Sequence, residues 1–346
     1  MAYTTIKKPS DYFNTKLYTG TGSELSITGV GFQPDWTWIK RRDAVAHGGM
    51  FDNVRGATKL LSSSQTDGEQ TLAQSLKSFD SDGFTLGTGT NGYVNTNGST
   101  TVAWNWLASN TTASNTDGSI TSTVSANTTS GFSIVTWTGN ATASQSVGHG
   151  LGAVPKVILT KNTDSGTQPW KSYFSEVGND KYLQLNTTDV PATSGVWDNT
   201  TPSSSLIYIS NDTGINGSGN TIVAYCFSEV KGFSKFGSYE GNGNVDGPFI
   251  YCGFKPAFVI IKKYSAANDW YTHDNKRDTF NPETRYLQPN TSAVETNDTG
   301  KALDFLSNGF KLRTTHGSHN GATGQFFIYM AFAEEPLVGD NPATAR

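Results

Sequence analysis

Large apolar side chains recur two residues apart at matching positions in three ten-residue segments of the chain, residues 31–40, 152–161 and 253–262. In each segment a proline follows a glycine by three positions, and a lysine follows the proline by six (40−34, 161−155 and 262−256). A period of two predicts a β-strand whose successive side chains point to opposite faces. The positions two and four residues after the proline are all large and apolar and should face a core: Trp36, Trp38, Val157, Leu159, Phe258 and Ile260.

The lysine that closes each segment has the same parity as these core residues. The three lysines are Lys40, Lys161 and Lys262. A lysine stem can lie along apolar surface while its ammonium stays in water. We therefore expect each strand to leave the core at its lysine.

A second strand pattern recurs near the end of each copy, in residues 102–106, 223–227 and 328–332. Its last aromatic residue follows the proline of the same copy by 72, 72 and 76 positions (106−34, 227−155 and 332−256). Such self-similarity indicates tandem copies of one structural unit. The sequence therefore predicts an all-β protein of three tandem β-sandwich repeats, jelly-roll-like, arranged in a row. The aromatic residues expected to carry this fold are Trp36, Trp38, Trp104, Trp106, Tyr225, Phe227, Phe258 and Phe332.

The three copies set the domain boundaries. We expect an N-terminal arm (1–11), repeat 1 (12–107), a linker (108–130), repeat 2 (131–229), repeat 3 (232–334) and a C-terminal tail (335–346). The linker consists mainly of Ser, Thr, Asn and small residues, so it buries too little apolar surface to fold alone. It is predicted to be exposed or to provide a strand to a neighbouring chain, and the arm is expected to contact other subunits. The tail is expected to be mobile.

Composition and charge narrow the classes of function. The chain has 346 residues, of which 16% are charged, and a formal net charge of −4. No basic stripe is present, which disfavours nucleic-acid binding. No apolar run is long enough for a transmembrane helix, and the N-terminus lacks the apolar segment of a secretory signal, so neither is expected.

Two copies share an acid–base pair that the second copy lacks. Asp52 and Arg55 stand at the same offset from their proline as Asp274 and Arg277 (52−34 and 274−256 are both 18). Glycosidase chemistry needs two carboxyl groups across a cleft, whereas here each carboxylate is close to its own guanidinium. The pattern favours a structural ion pair that fixes a loop.

Other chemical motifs are weak. Residues 87–92 match G-x-G-x-x-G, but a strand-like segment follows where a dinucleotide site needs a helix. His316 and His319 have no acidic or cysteine cluster beside them and are interpreted as polar residues on an exposed loop. Cys226 and Cys252, the only cysteines, are expected to be reduced and buried. The sequence therefore predicts no catalytic residue, no cofactor and no metal, and no enzyme.

The chain resembles a family of bacteriophage virion structural proteins, common in marine tailed phages, described as tail-fibre-like proteins or domains of unknown function. The resemblance lies in MAYTTI (1–6), DYF (11–13), GFQPDWTWIK (31–40), FDNVRG (51–56), SDGFTLG (81–87) and VAWNW (102–106). Repeat 1 fits best, repeat 3 fits less closely, and repeat 2 lacks the Asp/Arg phrase.

The resemblance implies a place on the phage particle, with assembly in the host cytoplasm. The function expected from it is that of a tail fibre or adhesin-like component in particle assembly and host attachment. A capsid decoration or head-fibre protein, and a carbohydrate-binding module, are the alternatives. Expected partners are other virion proteins, copies of this chain (a trimer being favoured) and a host-surface glycan or receptor. Neither nucleic-acid binding nor membrane insertion is expected.

Overall fold

The computed structural model describes residues 4–89, 92–339 and 342–344, and these residues form a nearly all-β protein with several antiparallel sheets. The predicted fold class is therefore confirmed. In the same residues the helical elements are α1 (Thr213–Asn216) and the 3-10 turns Pro9–Asp11, Gly195–Trp197 and Thr299–Lys301. None of these helical elements has the length and apolar character needed to span a bilayer.

Repeat 1 begins and ends with two long paired strands. Its strands are β1 (Phe13–Thr19), β2 (Leu25–Thr28), β3 (Trp36–Arg41), β4 (Gly49–Asp52), β5 (Lys59–Ser62), β6 (Gln70–Thr71), β7 (Leu76–Asp80), β8 (Gly83–Leu86) and β9 (Thr100–Trp106). They form an inner sheet, with the order β1-β9-β3-β4-β5-β6, and an outer sheet, with the order β2-β8-β7.

The linker and repeat 2 share one large sheet. Their strands are β10 (Ala113–Asn115), β11 (Ser122–Asn127), β12 (Phe132–Thr138), β13 (Gln145–Gly148), β14 (Val157–Asn162), β15 (Lys171–Phe174), β16 (Lys181–Gln184), β17 (Ala192–Thr193), β18 (Leu206–Ile209) and β19 (Thr221–Phe227). The inner sheet has the order β10-β11-β12-β19-β14-β15-β16-β17, and the outer sheet pairs β13 with β18.

Repeat 3 follows after a short connection. Its strands are β20 (Ser234–Glu240), β21 (Phe249–Tyr251), β22 (Phe254–Lys263), β23 (Trp270–Asp274), β24 (Arg285–Tyr286), β25 (Thr296–Asn297), β26 (Leu303–Leu306), β27 (Gly309–Leu312) and β28 (Phe326–Pro336). The inner sheet has the order β20-β28-β22-β23, the outer sheet has the order β21-β27-β26, and β24 pairs with β25.

The same strand order thus occurs three times. In each inner sheet the first long strand of the repeat pairs with the last long strand. The last long strand also pairs with the strand of the recurring Gly/Pro segment, which is β3, β14 or β22. This gives β1-β9-β3-β4, β12-β19-β14-β15 and β20-β28-β22-β23. The register also recurs, because Trp36 pairs with Trp106, Val157 with Phe227 and Phe258 with Phe332.

Glycines at two hairpin turns allow the outer sheets to close. Gly83 follows Asp82 at the turn between β7 and β8, Gly309 follows Asn308 at the turn between β26 and β27, and each glycine lies against the neighbouring strand. A Cβ atom would lie 1.9 Å from the carbonyl oxygen of Ile27 at Gly83, and 2.0 Å from that of Ile250 at Gly309. Any side chain there would separate β2 from β8, or β21 from β27.

Both faces of each inner sheet are buried. One parity packs against the outer sheet of the same repeat; Ile39, Ile158 and Val259 represent it in the three separate sandwich cores. The opposite parity carries the large aromatic residues, and it packs into one further core that all three repeats share. The eight aromatic residues expected to carry the fold lie in this central core with exposures of 0 to 2%.

Ring contacts join the repeats inside the central core. Trp36 of repeat 1 stacks on Tyr225 of repeat 2, with ring centroids 4.5 Å apart. Phe227 of repeat 2 lies 5.8 Å from Phe332 of repeat 3, and Phe332 lies 5.6 Å from Trp106 of repeat 1. The three inner sheets therefore surround one core as a ring, and the expected row of sandwiches is wrong.

The linker and the arm also differ from expectation. Residues 109–114 of the expected linker are exposed, but residues 122–127 form β11, which pairs with β12 and extends the inner sheet of repeat 2 within the same chain. In the described part of the arm, Ile6 is 1% exposed and joins the central core. Residues 1–3, and residues 340, 341, 345 and 346 of the expected tail, lie outside the described residues, whereas Pro336 ends β28.

The thiols of Cys226 and Cys252 should be unreactive in the folded protein. Both cysteines are free and buried, and burial raises the pKa of Cys226 to about 12 and raises that of Cys252. Because the thiolate is the reactive form, an aromatic disulfide reagent at pH 8 should titrate no thiol without denaturant and two thiols in guanidinium chloride. Rapid labelling of one thiol in the native protein would contradict this burial.

Candidate functional site

Three buried lysines mark the boundaries between the repeats. Lys40, Lys161 and Lys262 are each 0% exposed, so the expectation that their ammonium groups reach water is wrong. Lys40 Nζ donates to the carbonyl oxygen of Ala46 in its own repeat and to that of Thr291 in repeat 3, at 2.9 Å each. Two backbone oxygens thus replace the water that the ammonium loses.

The other two lysines repeat this arrangement around the ring. Lys161 Nζ donates to Gln168 O in its own repeat and, at 2.6 Å, to Thr66 O of repeat 1. Lys262 Nζ donates to Asn268 O in its own repeat and, at 2.9 Å, to Thr188 O of repeat 2. The lysine of repeat 1 thus donates to repeat 3, that of repeat 3 donates to repeat 2, and that of repeat 2 donates to repeat 1.

The acid–base pair of repeat 1 lies at its boundary with repeat 2. The predicted ion pair is present, with Arg55 Nε 2.5 Å from Asp52 Oδ2, and the two side chains are 3% and 0% exposed. Tyr225 of repeat 2 donates its hydroxyl hydrogen to Asp52 Oδ2 at 2.7 Å. Arg55 also contacts Glu69, which in turn pairs with Lys59. The ion pair therefore fixes a boundary between repeats as well as a loop.

The pair of repeat 3 is used in the same way at its boundary with repeat 1. Arg277 Nε lies 2.5 Å from Asp274 Oδ2. Trp104 of repeat 1 donates its indole N–H to the same carboxylate oxygen at 3.0 Å. Trp104 and Tyr225 occupy equivalent positions, each two residues before the last aromatic residue of its strand. The carboxylate of Asp274 therefore accepts from an indole N–H where that of Asp52 accepts from a phenol O–H.

Repeat 2 has an apolar pair at the corresponding position. Phe174 pairs with Val157 as Asp52 pairs with Trp36 and Asp274 with Phe258. Val177 follows Phe174 by three residues, as Arg55 follows Asp52. The corresponding donor position of repeat 3 is Met330, and Phe174 and Met330 both lie in the central core. The missing Asp/Arg phrase of repeat 2 thus coincides with a methionine, which has no strong donor, at the equivalent position of repeat 3.

The two histidines singled out in the sequence separate in the structure. His316 is exposed, but His319 is 0% exposed, so the interpretation of both as exposed loop residues is wrong for His319. His319 Nε2 lies 3.0 Å from Nε2 of the buried His273, and its Nδ1 lies 2.7 Å from Ser318 Oγ. Burial lowers the pKa of His273 to about 3 and lowers that of His319, so both rings are neutral. No sequence pattern indicated His273.

The remaining motifs show no assembled site. The G-x-G-x-x-G match precedes no helix, and its residues 90 and 91 lie outside the described residues. Among the residues that the structure describes, no group of three or more His, Cys, Asp or Glu side chains is placed to hold a metal ion. The acid–base pairs are enclosed between repeats, where a substrate has no access. The buried ion pairs and hydrogen bonds attach each repeat to the next.

The comparison with family models supplies one match. Residues 8–336 match a family described as a domain of unknown function (DUF7483). No curated protein and no solved structure matches the chain.

Replacement of the whole boundary should be tolerated better than replacement of one member. Asp52→Phe removes the buried carboxylate of Arg55 and leaves it only the partly exposed Glu69. Removing one partner of a buried ion pair typically costs about 3–5 kcal/mol of unfolding free energy. The triple variant D52F/R55V/Y225M reproduces the Phe174, Val177 and Met330 set of the other boundary. We expect it to recover most of this loss in urea unfolding, because well-packed apolar groups often replace a buried ion pair without loss. A triple variant no more stable than Asp52→Phe would contradict the equivalence of the boundaries.

The three buried lysines should make stability rise with pH above 8. Burial lowers the pKa of Lys40, Lys161 and Lys262 from 10.5 to about 8. Between these values the unfolded chain binds more protons, so unfolding free energy should rise by at most about 1.4 kcal/mol per pH unit for each lysine.

Urea unfolding at pH 7.5, 8.5 and 9.5 measures this slope. Lys262→Met should remove the share of one lysine, at most about 1.4 kcal/mol per pH unit, from the slope. The two buried thiols act in the opposite direction, because burial raises their pKa values. The control is Lys156→Met, which removes a half-buried lysine other than these three, and its slope is measured beside that of the unaltered protein. A slope between pH 8 and 9.5 that Lys262→Met leaves unchanged would contradict the lowered pKa of this buried lysine.

Proposed function

The chain belongs to the DUF7483 family of domains of unknown function, and we propose that it is a non-enzymatic structural protein of a bacteriophage virion. Its proposed role is that of a tail fibre or adhesin-like component, which contributes to particle assembly and to attachment to the host surface. The resemblance of repeat 1 to phage structural proteins supports the location. The family description itself names no activity.

The observation that carries the proposal is the closed ring of three repeats. Burial makes two acid–base pairs and three lysines the best candidates for catalytic groups. All of them form hydrogen bonds between repeats or within one repeat. Perturbed ionisable groups in enzymes line an accessible cleft, whereas these are enclosed. A rigid block with its polar groups committed internally suits a particle component better than a catalyst.

The proposed partners are other virion proteins, and further copies of this chain are proposed in a homo-oligomer, with a trimer favoured. The three-part ring already closes within one chain, so a second copy would bind through outer surfaces. Light scattering from the purified protein gives the number of copies. A monomer at micromolar concentration would remove the homo-oligomer but leave the virion assignment intact.

The location is tested on purified phage particles. Antibody labelling in electron microscopy should place the protein at the tail, and quantitative mass spectrometry should give a small number of copies per particle. A copy number in the hundreds would favour the alternative role as a capsid decoration protein. Absence of the protein from particles that infect normally would overturn the proposal.

A further inference from the structure

Two aromatic side chains stand on the outer face of repeat 3. Phe249 and Tyr251 lie on β21 and are 44% and 55% exposed, while Ile250 between them is 6% exposed and packs into the sandwich core. Alternation along the strand therefore points both rings away from the protein. Most of the large aromatic residues of the strands are buried in the cores, and the exposed Phe326 of β28 lies against the ring of Tyr264, with centroids 6.3 Å apart. The exposed rings of β21 therefore need an explanation.

The other repeats do not have these rings. Thr28 pairs with Gly83 at the position where Tyr251 pairs with Gly309, and Ser26 corresponds likewise to Phe249. In repeat 2, the residues that flank the buried Val147 are Ser146 and Gly148. Since the same scaffold folds with serine, threonine or glycine at these positions, the aromatic pair is not required by the fold.

Charged side chains lie beside the two rings. A Cβ atom at Gly309 would lie 3.1 Å from Cε2 of Phe249, so the ring lies over a residue that has no side chain. At one side, Lys311 Nζ lies 2.7 Å from Asp246 Oδ1, and the Asp246 side chain is 76% exposed. The two rings are thus bordered by an exposed carboxylate and by the less exposed ammonium that pairs with it.

A depression continues from the second ring. Tyr251 lines a cavity of about 360 Å³ together with Glu229, Ser234 and Lys235. Glu229 pairs with Lys235 at 3.0 Å across its wall. The aromatic face therefore leads into a recess that is bordered by a carboxylate and an ammonium, both partly exposed.

We propose that this face, Phe249 and Tyr251 with the adjoining recess, binds a carbohydrate chain. A sugar ring has apolar C–H faces and a rim of hydroxyl groups, which match exposed rings bordered by charged hydrogen-bonding groups. Residues two apart on a strand are separated by about 7 Å, so two consecutive sugar units can each cover one ring. The further assignment of this site to receptor binding by the phage particle rests on the proposed function.

A sugar fits this face better than a protein does. A stable protein interface buries about 800 Å² on each partner around an apolar centre. Two rings separated from other apolar surface by Lys311, Asp246 and the charged recess provide much less. The net charge of −4 also makes a nucleic acid a poor ligand for stacking on these rings.

The test converts the face to that of repeat 1. The variant F249S/Y251T places there the residues that repeat 1 has at Ser26 and Thr28, so we expect it to fold, as checked by thermal unfolding. Phe280→Ser is the matched control, because Phe280 is 79% exposed in repeat 3 but precedes Asn281, which bonds to β26 at the opposite edge of the outer sheet. The probe is an array of purified O-antigen and capsular oligosaccharides, followed by biolayer interferometry.

We expect the unaltered protein to bind at least one oligosaccharide, F249S/Y251T to lose about tenfold or more in affinity, and Phe280→Ser to keep it. If the double variant fails to fold, Tyr251→Thr alone replaces it. Binding to no oligosaccharide, or equal binding by the double variant, overturns the inference. Loss of incorporation into particles without any glycan binding would assign the face to a protein and also overturns it. Glycan binding by a chain that is absent from virions would leave this site standing and remove the proposed function.

Discussion

The structure depends on the burial of the inner faces of three β-sheets against one another. Each inner sheet presents aromatic side chains on the face away from its own sandwich core, and no single repeat can cover that face. Trp36, Tyr225 and Phe332 are buried only because side chains of the other repeats contact them. Full burial of one large apolar side chain contributes about 1.5–3 kcal/mol, against a typical total stability of about 5–15 kcal/mol, so a repeat that exposed several of these rings would lose much of its stability. The three repeats are therefore one cooperative unit.

Apolar burial alone does not orient the repeats, and the hydrogen bonds between them do. An ammonium with two backbone oxygens, or a carboxylate that accepts from an indole or a phenol, has a defined direction, whereas packing of rings tolerates small shifts. Lys40, Lys161 and Lys262 each connect a loop of their own repeat to a neighbouring carbonyl oxygen. Leaving any one of these buried groups without its partner would cost about 1–3 kcal/mol, so each arrangement excludes its near alternatives.

Local patterns in the sequence predicted local structure, and the errors concern contacts between distant segments. The period of two in residues 31–40 identified β3 and its buried parity, and the Asp/Arg spacing identified both ion pairs. The burial of Lys40 could not be read from its own repeat, because its second acceptor, Thr291, is 251 residues away in sequence. The ring-like arrangement of the three repeats was not predicted, because the alternation of apolar residues along a strand shows that a face is buried but not which segment covers it. Likewise, the composition of residues 108–130 was insufficient for independent folding, but β11 folds by joining an existing sheet.

The unequal chemistry of the three boundaries has a topological consequence. In the observed rotational order, Asp52 faces Tyr225, Asp274 faces Trp104, and the apolar Phe174 side belongs with Met330. The mirror order of the same three units would set Asp52 against Met330 and the indole of Trp104 against Phe174, leaving one acceptor and one donor unmatched. Identical boundaries, as in a symmetric homotrimer, could not distinguish the two orders. The triplicated chain thus encodes the sense in which it winds around its own axis.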